Sequence, residues 1–243
     1  MTQSDLKPTR QGLGAGIFDV DGVLLASPHE RAWREALQGF AEPERLTTKV
    51  YEAYVSGKPR LSGALAVLEA VGVPDAKRQV VAYAERKQRR LEELIRAGEF
   101  AAFPDALRFV QAVRALGWPL AAASSSRNAN QMMRAVRLES GETLLDVFSV
   151  NVCGRDLPRG KPDPAIFLLA AAELGLPPAT CFVVEDAPAG IEAARAGGMT
   201  ALGVDRLQDP DLLWAAGADL VVASLDEVAI DVLADGRLGR RAT

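Results

Sequence analysis

"GIFDVDGVLLAS", residues 16–27, is an apolar segment that carries two acidic residues close together, Asp19 and Asp21. The apolar residues around them predict a buried strand over residues 14–20. An ionised carboxylate that leaves water without a partner is strongly destabilising. Alternate residues of an extended chain point the same way, so these two acids share a face and repel one another. The segment therefore predicts that a positively charged group binds beside them.

Composition indicates a globular protein without charge-driven partners. The chain has 243 residues, of which 49% are hydrophobic and 25% charged, which suits one domain carrying an insertion. A formal charge of -4 gives no attraction to nucleic acid or to an anionic membrane, and we expect neither as a partner. Because there is no long apolar run or signal peptide, and Cys153 and Cys181 lie in apolar segments, we expect a cytoplasmic protein. The sequence does not indicate an oligomeric state, so a monomer is the default expectation.

The order of the predicted elements defines the fold class. Residues 29–98 have only helical spacing of apolar residues, whereas strands and helices alternate after Phe103. The later strands are predicted over 119–124, 147–152, 181–185, 200–204 and 219–222, and the helices over 105–116, 128–137, 164–174, 188–196 and 209–216. This order predicts an α/β fold: a Rossmann-like, doubly wound parallel sheet core with an inserted small α-helical cap. We expect the core over 12–27 and 101–236, the cap over 28–100, and flexible tails over 1–11 and 237–243.

Polar clusters follow four of the predicted strands. They are Asp19 to Gly22, Ser124 to Asn128, Lys161 before Pro162, and Glu185 with Asp186. Ligands of open α/β sheets bind beyond the carboxyl ends of the strands, so these clusters meet on one rim. Helix capping would explain any one cluster, but four together favour a functional site.

The chemistry of this set favours phosphoryl transfer. Mg²⁺ takes one or two carboxylates together with water and substrate phosphate, so it would relieve the repulsion among the acids. With Mg²⁺ and Lys161 present, one aspartate can act as a nucleophile toward phosphorus. The hydroxyl of Ser124 and the amides near Asn128 are suitable phosphate donors, and Gly22 allows a sharp turn beside the metal.

The motifs Asp19-Val20-Asp21-Gly22-Val23-Leu24, Ser124, Gly160-Lys161-Pro162 and Glu185-Asp186 resemble those of the haloacid dehalogenase superfamily. Within it, the chain is similar to the β-phosphoglucomutase-like phosphatases and phosphomutases. The resemblance implies that Asp19 is the nucleophile and Asp21 the general acid and base, with Ser124 and Lys161 holding the transferring phosphate. It also implies Mg²⁺ on Asp19, on the carbonyl of Asp21 and on Asp186, assisted by Glu185.

The resemblance further implies substrate contacts from the cap and the core. The expected substrate-binding residues are Gly22, His29, Arg60, Lys87, Ser125, Ser126, Arg127 and Asn128. The linker between Asp21 and His29 is shorter than in well-known members, and Ala26 replaces their usual acid. Two interpretations of His29 therefore stay open: an exposed residue at the start of a helix, or a contact to the catalytic site.

Several functions are compatible with this pattern. The leading hypothesis is a Mg²⁺-dependent phosphatase of a small sugar or polyol phosphate, because a closing cap admits only a small phosphorylated metabolite. The alternative is a sugar phosphomutase of the β-phosphoglucomutase type, followed by a phosphoglycolate phosphatase. A dehalogenase would not need Asp21 or the acid pair, and a phospho-acceptor signalling domain is smaller and has no cap. The glycines at 12, 14 and 16 precede a strand, which disfavours a dinucleotide site.

Overall fold

The computed structural model describes residues 12–56, 58–206 and 208–242. The strands, in chain order, are β1 (Ala15–Phe18), β2 (Leu25–Ala26), β3 (Ala101–Ala102), β4 (Leu120–Ala122), β5 (Val150–Asn151), β6 (Cys181–Glu185), β7 (Thr200–Val204) and β8 (Leu220–Val222). The α-helices are α1 (His29–Ala36), α2 (Thr48–Tyr54), α3 (Arg60–Ala70), α4 (Ala76–Arg96), α5 (Pro104–Ala115), α6 (Ala129–Ala135), α7 (Ala165–Leu174), α8 (Pro188–Ala196), α9 (Pro210–Ala215) and α10 (Ile230–Ala234).

Six strands form one parallel sheet in the order β5-β4-β1-β6-β7-β8. Strand β1 lies inside the sheet, where Ile17 pairs with Ala121 on one side and with Val183 on the other. Successive side chains of a strand point to opposite faces, so Ile17 and Phe18 enter separate apolar clusters on the two sides. Helices cover both faces, which confirms the predicted doubly wound α/β fold.

Helices α1 to α4 form the inserted helical unit, which has an apolar core of its own. Trp33 and Tyr83 are buried with their ring centroids 5.4 Å apart, and the Tyr83 hydroxyl donates to the carbonyl of Trp33 at 2.8 Å. The two connections to the sheet run side by side as the antiparallel pair β2-β3, in which Leu25 faces Ala102. The chain therefore enters and leaves the cap through two adjacent linkers.

Two predictions differ from the structure. The strand predicted over 147–152 is confined to Val150–Asn151, because Leu144–Val147 form a 3₁₀ turn capped by Thr143. The C-terminal segment predicted as a flexible tail contacts the core: the N–H of Ala229 donates to Gly239 O at 2.9 Å, and the N–H of Arg241 to Glu227 O at 2.7 Å. The predicted tail over 1–11 lies outside the described residues.

No helix within the described ranges is long and apolar enough to cross a bilayer.

Phe18 provides a test of the core. Its ring is fully buried and lies edge-on or tilted against Phe109, Phe148 and Phe182, with centroids 5.9–6.0 Å apart. We expect Phe18→Leu to lower the free energy of unfolding by about 2 kcal/mol, because the variant loses these ring contacts and leaves space behind. Urea denaturation measures the change. Leu212→Ala, at a half-exposed position, serves as the control. A loss for Phe18→Leu no larger than for the control would contradict the packing described.

Candidate active site

The predicted polar clusters meet in one cavity between the sheet and the helical cap. Its volume is about 450 Å³, and it opens at the carboxyl ends of β1, β4 and β6. Every site residue predicted from the sequence lines it: Asp19, Asp21, Gly22, His29, Arg60, Lys87, Ser124, Ser125, Ser126, Arg127, Asn128, Lys161, Glu185 and Asp186. The parallel order of the strands brings these residues together, because it places all the strand ends on one edge.

Lys161 holds two carboxylates at the floor of the cavity. Its ammonium group donates to Asp19 Oδ1 at 2.6 Å and also bonds Glu185 Oε1, and all three side chains are buried. Burial opposes the charge on the ammonium, but Asp19 and Glu185 together raise the pKa of Lys161 above its usual range. Lys161 is therefore charged at neutral pH and occupies one oxygen of the predicted nucleophile.

Glu185 is tied to the protein through both of its oxygens. Besides the bond from Lys161, its Oε2 accepts from the N–H groups of Asp186 and Ala187 at 3.1 and 3.2 Å. Gly190 leaves room for this carboxylate, since an added Cβ there would lie 1.9 Å from Glu185 Cδ. Its contacts therefore hold Glu185 in place beside Lys161, and its predicted assistance at the metal stays a prediction.

Asp186 lies against the turn that follows Asp21. An added Cβ at Gly22 would lie 1.8 Å from Asp186 Oδ2, and Gly22 has a φ of +83°, so glycine is required for both space and backbone conformation. Burial, followed by the charges of Glu185 and Asp19, raises the pKa of Asp186 well above its usual range. Burial likewise raises the pKa of Asp19 to about 7, against the opposing effect of Lys161.

This donor set fits a hard divalent cation. The raised pKa values of Asp19 and Asp186 mean that their ionised forms are disfavoured unless further positive charge is supplied. Within the described residues, no three acidic, histidine or cysteine side chains converge as a complete ligand set. Two carboxylates with the carbonyl of Asp21 leave positions for water and phosphate, which is the arrangement that Mg²⁺ prefers.

Asp21 faces the cavity with one oxygen without a partner. Its Oδ2 accepts from the Ser124 hydroxyl at 3.2 Å, while its buried Oδ1 has no hydrogen-bond partner among the described residues. A buried acceptor without a donor is unfavourable and is typical of an atom that meets a ligand. The side chain is therefore available to exchange a proton with a bound substrate.

The structure resolves the two interpretations of His29 in favour of a contact to the catalytic site. Its Nε2 lies 3.6 Å from Asp21 Oδ1 and 3.4 Å from Ser126 Oγ, while its Nδ1 lies 3.0 Å from Lys87 Nζ. Burial and the charge of Lys87 lower the pKa of His29 to about 4, so the ring is neutral at pH 7. With Lys87 donating to Nδ1, the hydrogen on Nε2 points toward Asp21 and Ser126.

The segment after β4 turns toward the cavity through its own hydrogen bonds. The N–H of Ser126 donates to Ser124 Oγ at 3.1 Å, and the N–H of Asn128 to Ser126 Oγ at 3.2 Å. Ser125 and Arg127 are exposed at the rim, where Arg127 lies 3.7 Å from Asp156. Arg60 is also exposed and lies close enough to Lys87 to disfavour its charge.

The cavity is also lined by residues that were not predicted from the sequence, among them Tyr51, Glu52 and Arg206. Burial and the charge of Glu30 raise the pKa of Glu52 to about 7. The charge of Glu52 in turn contributes to the raised pKa of Asp186. Glu52 and Tyr51 lie on α2, and no sequence motif predicts that this helix lines the cavity. Arg206 follows the end of β7, so the rule used for the other strand ends would have indicated it.

Comparison with known proteins agrees with the geometry. The family model described as haloacid dehalogenase-like hydrolase matches residues 15–198. The β-phosphoglucomutase of Bacillus subtilis is 33% identical, over 90% of this chain and 93% of its own. The phosphorylated carbohydrates phosphatase of Thermotoga maritima is 32% identical, over 86% of this chain and 93% of its own.

A solved structure has the same fold. The archaeal β-phosphoglucomutase of Pyrococcus sp. strain ST 04 superimposes with a TM-score of 0.73 at 33% identity, covering 90% of this chain and 96% of that one.

Lys87 provides a test of the cavity's electrostatics. The side chain is almost fully buried, and burial lowers its pKa to about 7, against the opposing effect of Asp21. The ordinary pKa of lysine is near 10.4, so between pH 7 and pH 10.4 this side chain is protonated in the unfolded chain and neutral in the folded one. The unfolded chain therefore binds more protons over this range, and the free energy of unfolding rises with pH. We expect Lys87→Met to remove this rise. Its stability relative to the wild type should therefore fall by more than about 1 kcal/mol between pH 6 and pH 10.

Urea denaturation at both pH values measures this change. Lys77→Met is the matched control, because Lys77 is exposed on the same helix. A flat difference for Lys87→Met as well would contradict the burial of its ammonium group.

Proposed function

Because the chain belongs to the haloacid dehalogenase-like hydrolase family, we propose that it is a Mg²⁺-dependent phosphatase of small sugar or polyol phosphates. The proposed reaction proceeds through a phospho-aspartate at Asp19. The relatives named β-phosphoglucomutase and phosphorylated carbohydrates phosphatase support this substrate class. A cavity of about 450 Å³ beneath a helical cap is of a size suited to a small phosphorylated metabolite.

The observation that carries the proposal is the pairing of two aspartates with different environments. Asp19 is buried and has Oδ1 fixed by Lys161 at 2.6 Å, whereas Asp21 presents an unpartnered Oδ1 to the cavity. A fixed carboxylate suits a nucleophile, and an available carboxyl group next to it suits an acid and base. The two roles require two acids at this spacing.

The first step transfers the phosphoryl group to the protein. An oxygen of Asp19 attacks phosphorus, the bond from phosphorus to the ester oxygen breaks, and Asp21 gives its proton to the departing oxygen. Lys161 and the Ser124 hydroxyl donate to the phosphoryl oxygens as their negative charge develops. The ring of His29, neutral at pH 7, lies beside Asp21, with Nε2 3.6 Å from Asp21 Oδ1.

The second step returns the protein to its starting state. Asp21, now ionised, takes a proton from water, whose oxygen attacks phosphorus and releases phosphate as the bond to Asp19 breaks. Asp19, the carbonyl of Asp21 and Asp186 would hold Mg²⁺, which when bound offsets negative charge on the carboxylates and the phosphate. Hydrolysis needs no acceptor site beyond a water molecule next to Asp21.

Replacement of the nucleophile tests this assignment. We expect Asp19→Asn to lower the rate of phosphate release by about 1,000-fold or more, because an amide oxygen does not form the acyl phosphate. The assay is a screen of phosphorylated sugars and polyols with Mg²⁺ or with a chelator, in which the chelator also abolishes release. Asp211→Asn, an exposed acid on α9, is the control and keeps full activity. Phosphate release by Asp19→Asn at the wild-type rate would exclude Asp19 as the nucleophile.

A sugar phosphomutase is the second candidate, and the position of His29 favours it. His29, Lys87 and Ser126 lie together beside Asp21, and Arg60 adds a cation at the rim for a second phosphate. Incubation with β-glucose 1-phosphate, Mg²⁺ and a trace of glucose 1,6-bisphosphate separates the two by phosphorus NMR. We expect inorganic phosphate as the product. Conversion to glucose 6-phosphate without phosphate release would establish the mutase instead.

A further inference from the structure

Arg206 binds the turn that carries Asp21. Its Nε donates to the carbonyl of Gly22 at 3.3 Å, and its Nη2 donates to the carbonyl of Val23 at 3.2 Å. Strand β1 has already ended at these residues, so neither carbonyl takes part in the sheet. The guanidinium therefore satisfies two backbone acceptors directly after the proposed acid and base.

The other side of the guanidinium is anchored to the core by Asp105. Two nitrogens of Arg206 donate to the two carboxylate oxygens of Asp105, at 2.9 and 3.2 Å. Asp105 is itself buried and accepts from the N–H of Leu225 at 2.9 Å and from the Ser224 hydroxyl at 3.1 Å. A bidentate pair held in this way has little freedom to rotate. Arg206 thus connects the Asp21 turn to a fixed point in the core.

Arg206 also contacts the second linker of the cap. Its guanidinium carbon lies 3.9 Å from the centre of the Phe103 ring, directly after β3. The N–H of Phe103 donates to the carbonyl of Leu24 at 3.0 Å, so the two linkers are joined at the same place. One arginine therefore holds the turn of the first linker, the base of the second linker and the core.

We propose that Arg206 is a positioning residue, which aims Asp21 at the substrate by fixing the turn over residues 21–25. All three nitrogens of its guanidinium donate to the two carbonyls or to Asp105, so its effect on the reaction passes through the two carbonyls. The effect of Arg206 on the kinetics rests on the proposed function. Its effect on the rigidity of the turn does not depend on any reaction.

Hydrogen exchange tests the fixing of the turn without reference to activity. The amides of Gly22, Leu24 and Leu25 donate within the turn, to Leu25 O and Val20 O, at 2.8–3.0 Å. We expect Arg206→Met to speed their exchange by about tenfold or more, since the turn then opens more often. Arg108→Met is the matched control: Arg108 makes a similar bidentate pair with Asp226 at 2.9 and 2.6 Å but is exposed and does not line the cavity. Unchanged exchange in Arg206→Met would overturn the proposal, whatever the enzyme's substrate.

Kinetics with two aryl esters test whether the turn serves Asp21. Phenyl phosphate has a more basic leaving group than p-nitrophenyl phosphate and depends more on protonation by a general acid. We expect Arg206→Met to lower kcat/KM by about 100-fold for phenyl phosphate and by less than about tenfold for p-nitrophenyl phosphate. Arg206→Lys keeps the charge but loses the two-pronged geometry, and we expect the same selective loss.

Equal losses for the two esters, or full activity in Arg206→Lys, would overturn the role in aiming Asp21. Failure of the wild type to release phosphate from these esters and from every phosphorylated sugar or polyol of the screen would instead count against the proposed function, and the exchange measurement would still decide whether Arg206 fixes the turn.

Discussion

The site depends on a buried ammonium group that holds two carboxylates together at the ends of two neighbouring strands. Lys161 bonds Asp19, directly after β1, and Glu185, the last residue of β6; without it these two buried acids would repel one another. One positive charge still faces three acids once Asp186 is included. Burial, together with the remaining negative charge, raises the pKa values of Asp19 and Asp186, so the cavity suits a further cation. In the proposed function, that cation would also offset the repulsion between a carboxylate and the substrate phosphate.

The fold supplies this arrangement through the position of β1. As an interior strand with parallel neighbours on both sides, it brings residues from β4 and β6 to the same edge as Asp19. The chain leaves this edge through β2, forms the cap, and returns beside it through β3. His29 and Lys87 consequently lie over Asp21, although they belong to separate helices of the cap. A cap joined by two adjacent linkers can move toward and away from the sheet with little change in either unit.

Site residues that directly follow strands could be predicted from the sequence, whereas those whose position depends on helix packing could not. Asp19, Asp21 and Lys161 were predicted because parallel strands end on one edge, which is a rule of topology. The contact of His29 could not be decided from a shortened linker, since it depends on how α1 leaves β2. Glu52 was missed because the sequence of α2 does not show which of its residues faces the cavity. The C-terminal segment was taken as a tail because its backbone pairing leaves no pattern in side chains.

The balance of charge is tested most directly by thermal unfolding of the wild type and Asp186→Asn, with and without Mg²⁺. The substitution removes a carboxyl group whose raised pKa makes it destabilising at neutral pH, so the account predicts that the metal-free variant unfolds at a higher temperature than the metal-free wild type. It also predicts that Mg²⁺ raises the unfolding temperature of the wild type but not that of the variant, because only the wild type keeps both carboxylates. An equal rise in both proteins, or none in the wild type, would contradict the placement of a cation between Asp19 and Asp186.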